Sequence, residues 1–216
     1  MCKMLEVIPY NERILTSKNR IDIDLINQGK EFIEQFEINQ ELIIETISII
    51  YKYLEKVRKI PQNLFKFFIA AYYISSRHPK TFPHPESKDT FCRKFHIKKS
   101  SLKYSVNKII SELNYIKIVD DLGRPYFLNP ERDIAYKLLK SVVKNKVELA
   151  MMNFLVYHQP INSQILSEDL VSKTIFEMKL FPEELFRQFY DLTFEMIEDH
   201  LQDYYSYIDL QNKYFI

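Results

Sequence analysis

Apolar residues recur with helical spacing through most of this chain, and the pattern predicts a mainly α-helical fold. Before residue 80 it predicts helices at 24–37, at 40–59 behind a capping Asn39, and from Pro61 to about Arg77. The third of these is apolar on nearly every side, which is typical of a helix surrounded by its neighbours. After residue 130 the pattern predicts four further helices, at about 131–143, 145–158, 166–179 and 182–206.

The segment 87–113 has the spacing of a helix-turn-helix. It predicts a short helix at 88–95, a tight turn at 96–99 and a second helix from 100 or 101 to 113. Cys92 takes the place of the usual small residue, and His96 takes the turn position that favours positive φ. The packing positions between the two helices are occupied by apolar residues, namely Phe91, Phe95, Ile97, Leu102, Val106 and Ile109.

A β-hairpin is predicted directly after the second helix. Two apolar runs, 115–119 and 126–128, flank a turn that ends in Gly123, which is one of only two glycines in 216 residues. Pro125 lacks a backbone donor and therefore suits an edge position. A helix-turn-helix followed by such a wing is a common way to present a helix to a DNA groove.

Charge is distributed very unevenly along the chain. The formal net charge is only +1, but residues 52–110 hold 14 basic and 3 acidic side chains, whereas residues 151–216 hold 4 basic and 11 acidic ones. A basic segment that contains a groove-sized helix is typical of a nucleic-acid binder. The alternative is a solvated basic face balanced by the acidic tail, around two ordinary core helices, a loop and a hairpin.

The second helix supplies the predicted site, because its polar face carries hydrogen-bonding residues and little acid. We expect Tyr104, Asn107 and Lys108 to approach base edges in the major groove, with Ser101 at the start of the helix. We expect Arg124, at the tip of the wing, to reach the DNA backbone or the minor groove. The residues expected to contact phosphates are Arg93, Lys94, Lys98, Lys99 and Lys103.

Several other chemistries have no support in the sequence. Two glycines can hardly build a phosphate-binding loop, and the five histidines lack the spacing of a metal site. We therefore expect no enzyme activity, no cofactor and no bound metal. Cys2 and Cys92 lie far apart, which fits a reducing cytoplasm, and no apolar run approaches the ~20 residues of a membrane span.

Residues 24–113 also follow the five-helix order of a cyclin-like repeat. Residues 70–82, AAYYISSRHPKTF, resemble the third-helix signature of general transcription initiation factor B of archaea and eukaryotes, in which small residues, a Tyr and a terminal Arg precede a Pro-basic-Thr turn. The resemblance covers about 90 residues and implies a module that faces DNA or RNA polymerase. The chain lacks that family's zinc-ribbon cysteines, and residues 131–216 do not visibly repeat the signature.

Together these patterns predict an N-terminal arm at 1–23, a cyclin-like or winged helix-turn-helix domain at 24–130, and an acidic helical region at 131–216. We expect a cytoplasmic, transcription-associated protein that binds double-stranded DNA and contacts RNA polymerase or other transcription proteins. The C-terminal helices are expected to mediate a homodimer or partner binding, and no membrane contact is expected. The alternatives are a cyclin-like interaction scaffold without nucleic-acid contact and, with less support, an RNA-binding protein.

Overall fold

Eight α-helices and one antiparallel β-hairpin account for most of the described part of the chain, which confirms the mainly α-helical class. The computed structural model describes residues 17–36, 38–84 and 86–214. Their contacts group them into two compact units. The first contains the residues up to Ser76 together with Asp89–Leu113, and the second contains Arg77–Lys88 and the residues from Asn114 onward.

The first unit is a helical bundle around one central helix. Its helices are α1 (Ser17–Glu34), α2 (Gln40–Lys56), α3 (Leu64–Ser75), α4 (Lys88–Lys94) and α5 (Lys99–Leu113). Helix α3 contacts α1, α2 and α5, and its Phe68, Ala70 and Ala71 are completely buried. The predicted central position of the third helix is therefore confirmed.

Two helix starts in this unit differ from those predicted. Helix α3 begins at Leu64 rather than Pro61, because the Asn63 side chain accepts a hydrogen bond from the backbone N–H of Lys66 at 3.3 Å and caps the helix there. Helix α1 begins at Ser17 rather than residue 24, so residues 17–23 of the predicted arm are helical. The rest of the predicted arm, residues 1–16, lies outside the described residues.

Gly29 allows α1 to lie directly against α3. A Cβ atom at this position would lie 2.0 Å from the Phe68 ring, well inside van der Waals contact. Because Phe68 is completely buried, its ring has little space into which it could move.

The second unit contains the hairpin and three helices. Its elements are β1 (Ile116–Val119), β2 (Pro125–Leu128), α6 (Ile134–Tyr157), α7 (Ser163–Val171) and α8 (Phe186–Tyr214). A π-helical turn, Ser172–Glu177, extends α7, and a 3-10 turn, Glu183–Leu185, precedes α8. The hairpin thus groups with the C-terminal helices, whereas the sequence placed it with the helix-turn-helix in one domain.

The hairpin turn confirms the predicted conformation of Gly123. Its φ is +71°, and its N–H donates to the carbonyl of Asp120 at 2.9 Å. The Asp120 side chain accepts further hydrogen bonds from the N–H groups of Leu122 and Arg124, at 3.0 and 2.7 Å. The strands pair antiparallel, with Ile116 opposite Leu128.

Helix α6 corrects the prediction of two helices at 131–143 and 145–158. It is continuous for 24 residues, begins after a capping Asp133 and ends where His158 adopts a left-handed conformation. Val143 and Val147, on either side of the predicted break, are both completely buried in the core of this unit, so packing continues across it. Helix α7 likewise begins earlier than predicted because Asn162 caps it.

Within the described ranges, no helix has an apolar stretch long enough to cross a bilayer.

Candidate nucleic-acid interface

The turn between α4 and α5 has the backbone conformation predicted for it. His96 has a φ of +49°, which confirms the predicted positive value. The N–H of Ile97 donates to the carbonyl of Cys92 at 3.0 Å, so the chain leaves α4 in a closed turn. Phe91 and Phe95 are buried and pack against the Tyr72 ring, which anchors α4 to the centre of the unit.

Helix α5 has one buried side and one exposed polar side. Leu102, Val106 and Ile109 face the core, and the helix packs against α3 and α2. On the other side Asn107 and Lys108 are exposed, and Tyr104 keeps 60% of its surface accessible. No acidic residue occurs between Lys99 and Ser111, so this face presents only donors, neutral polar groups and cations.

The order of side chains around α5 gives this face two flanks. With 100° between successive residues, Lys103 lies on one flank, Asn107 and Tyr104 lie near the middle, and Lys108 and the half-buried Ser101 lie on the other flank. The three residues predicted to approach base edges therefore share one accessible face, and Ser101 lies at its border. Their contact with DNA stays a prediction.

The predicted phosphate-contacting residues of this unit surround the start of α5. Arg93 and Lys94, in the last turn of α4, are exposed, as are Lys98 and Lys103. Lys99 differs from them, since its Nζ atom lies 2.6 Å from Oδ1 of Asp89. Both groups of that ion pair are exposed, and such pairs contribute only about 0–1 kcal/mol, so Lys99 could exchange Asp89 for a phosphate at small cost.

Arg124 occupies a different environment from the other predicted site residues. It lies in the second unit, is half-buried, and donates from Nη1 to the carbonyl oxygen of His84 at 2.8 Å. The N–H of His84 in turn donates to the hydroxyl of Tyr126 in β2 at 3.0 Å. These contacts give Arg124 a structural part in holding residue 84 to the hairpin, which the sequence did not reveal.

Beside α5 lies an open, basic cleft of about 980 Å³, formed by the C-terminal end of α2, the α2–α3 connection and one flank of α5. Five cationic side chains line it, and Glu112 is the one acidic residue among its lining residues. The cations, all of them exposed, are Lys56, Arg58, Lys59, Lys66 and Lys108. On the α5 side the cleft is lined by Ser100, Ser101 and Tyr104, which add hydroxyl groups.

Only Lys108, Ser101 and Tyr104 of the cleft were among the predicted site residues. The cations of α2 and of the connection were visible in the sequence as a cluster, but at the end of a helix such a cluster is also explained by the helix dipole. Their position next to α5 depends on the packing of α2 and α3, which local sequence patterns do not encode.

Tyr53 forms part of the inner wall of the cleft. Burial raises its pKa above the ordinary value, and the nearby charge of Glu112 and Tyr104 adds to the increase. The phenol therefore remains protonated at neutral pH, and the cleft keeps its positive charge.

Among the described side chains, no group of three or more His, Cys, Asp or Glu residues is arranged to hold a metal ion. No protein-family model, curated protein or solved structure matches the chain.

Proposed function

We propose that this is a transcription-associated DNA-binding protein that reads duplex DNA with the exposed face of α5. The observation that carries the proposal is the character of that face, which is accessible, free of acid from Lys99 to Ser111, and flanked by cations on both sides. An α-helix fits the major groove of B-DNA, and the phosphate strands then lie along its two flanks.

In this proposal the middle of the face meets the bases. The Asn107 amide can pair with adenine through two hydrogen bonds, and the Tyr104 hydroxyl and the Lys108 ammonium can contact base edges beside it. Lys103, on the flank of α5 away from the cleft, and Lys98, directly before α5, neutralise further phosphates. Because phosphate contacts release counterions, binding should weaken steeply as the salt concentration rises.

The cellular setting belongs to the same proposal. We place the protein in the cytoplasm, in keeping with two cysteines that lie far apart in the sequence. RNA polymerase or another transcription protein is the proposed protein partner, and the resemblance of residues 70–82 to transcription initiation factor B supports that choice.

The test is a double charge reversal, Lys103→Glu on α5 with Lys98→Glu directly before it. Both side chains are exposed, and neither lines the basic cleft. Binding to a short fluorescent duplex, measured by anisotropy, should weaken by about tenfold or more, and the salt slope should fall by about 2, one for each lost phosphate contact.

The matched control is Lys137→Glu with Lys140→Glu on α6, which changes the net charge equally at two exposed positions of a helix in the other unit. It should bind the duplex nearly as the wild type does. Equal affinity of the α5 variant and this control would show that α5 is not the DNA-binding surface.

A further inference from the structure

The basic cleft concentrates positive charge, with five cations and one acid among its lining residues. Lys56, Arg58, Lys59 and Lys66 come from α2, the α2–α3 connection and the first turn of α3, and they face Lys108 across the concavity. With Glu112 as the one acid in the lining, these cations repel one another. Such a concave surface of one sign attracts anions and raises their local concentration.

The cleft continues directly into the exposed face of α5. Tyr104 and Ser101 belong to both, and Lys108 lies at the border between them. A helix in the major groove, which is about 12 Å wide, has a sugar-phosphate strand on each side. Lys103 lies on one flank of α5, and the cleft occupies the other.

We propose that the basic cleft holds the phosphodiester backbone of one strand of duplex DNA while the exposed face of α5 lies in the adjoining major groove. This proposal rests on the proposed function. It adds four DNA-contacting residues that were not predicted from the sequence, namely Lys56, Arg58, Lys59 and Lys66. The ammonium and guanidinium groups pair with phosphate oxygens, and the hydroxyls of Ser100 and Ser101 donate further hydrogen bonds.

The lining favours a duplex strand over a free single strand. Proteins that bind single strands stack successive bases on exposed aromatic rings. In the cleft the rings of Tyr53 and Phe67 are buried, being 4% and 5% exposed, and Tyr104 is the one aromatic lining residue that is largely accessible. The surface therefore offers many phosphate contacts and little stacking.

The test is the variant Lys59→Glu with Lys66→Glu, on the wall opposite α5. Lys59 lies in the connection between helices, and an acid in the first turn of α3, where Lys66 lies, is favoured by the helix dipole, so the fold should tolerate both changes. Duplex affinity should fall by about tenfold or more and the salt slope by about 2, relative to the Lys137→Glu, Lys140→Glu control.

Parallel titrations with the Lys98→Glu, Lys103→Glu variant separate the possible failures. If that variant loses affinity while the cleft variant binds like the control, the cleft proposal is wrong and the proposed function stands. If the wild type does not bind duplex DNA at low salt, both proposals fail. The wild type should also be titrated with the single strand of the same sequence. If it binds that strand more tightly than the duplex, and the cleft variant loses mainly the affinity for the single strand, the cleft does not hold a duplex strand.

Discussion

Helix α5 and the C-terminal half of α6 use the same packing principle but expose different chemistry. Each buries one apolar side in the core of its own unit. The outer side of α5 carries lysine, asparagine, serine and tyrosine, whereas the outer side of the C-terminal half of α6 carries Leu149, Met152 and Val156, which are 52%, 62% and 63% exposed. The buried sides stabilise the fold, and the exposed sides are the surfaces that can bind a partner.

The contrast separates two kinds of partner. The cations and polar groups of an acid-free helix face are well hydrated in water, and the positive charge attracts a polyanion. Exposure of apolar residues to water is unfavourable. Where such residues repeat along one helix, a protein surface that covers them would stabilise them. DNA binding by the first unit and a protein contact by the second remain proposals.

The largest effect is expected at the exposed side of α6, if the C-terminal helices mediate the predicted homodimer. Leu149→Glu with Met152→Glu would place four charges in the interface of the dimer, two from each copy, and should convert it to a monomer. Sedimentation velocity over a range of protein concentrations measures this change. If the wild type is monomeric at every protein concentration, the C-terminal helices do not form a homodimer. That result would leave the proposal for α5 unchanged.

The two glycines are expected to differ in their contributions to stability. Gly29→Ala should lower the free energy of unfolding by about 1–3 kcal/mol, because the new methyl group overlaps the buried Phe68 ring. Gly123→Ala has free space around it and should cost only about 1 kcal/mol, from the positive φ alone.

Urea denaturation of both variants measures the difference. A Gly29→Ala variant as stable as the wild type would mean that α1 and α3 do not approach each other as closely as described. A neutral Gly123→Ala would argue against the left-handed turn conformation.

Local chemistry explains what the sequence revealed. The Asn39 cap, the positive φ of His96 and the Gly123 turn each depend on residues close together in the chain, and all three were found as predicted. The apolar stripe of α5 was also predictable, because Leu102, Val106 and Ile109 repeat with helical spacing.

The features that sequence patterns missed depend on contacts between distant segments. The basic cleft needs residues 56–66 beside residues 100–108, and the contact of Arg124 with His84 joins residues 40 positions apart. The continuity of α6 is a further example. The polar run around Asn145 looks like a helix boundary, but the burial of Val143 and Val147 on either side carries the helix through it.

The decisive experiment is the affinity of the full chain for a mixed-sequence duplex as a function of salt concentration. If α5 and its flanks bind DNA through about six phosphate contacts, log K should fall linearly with log salt, and affinity should drop by about a thousandfold between roughly 50 and 200 mM. A chain that shows no duplex binding at the lowest salt, or an affinity that salt does not change, would rule out DNA recognition by this helix.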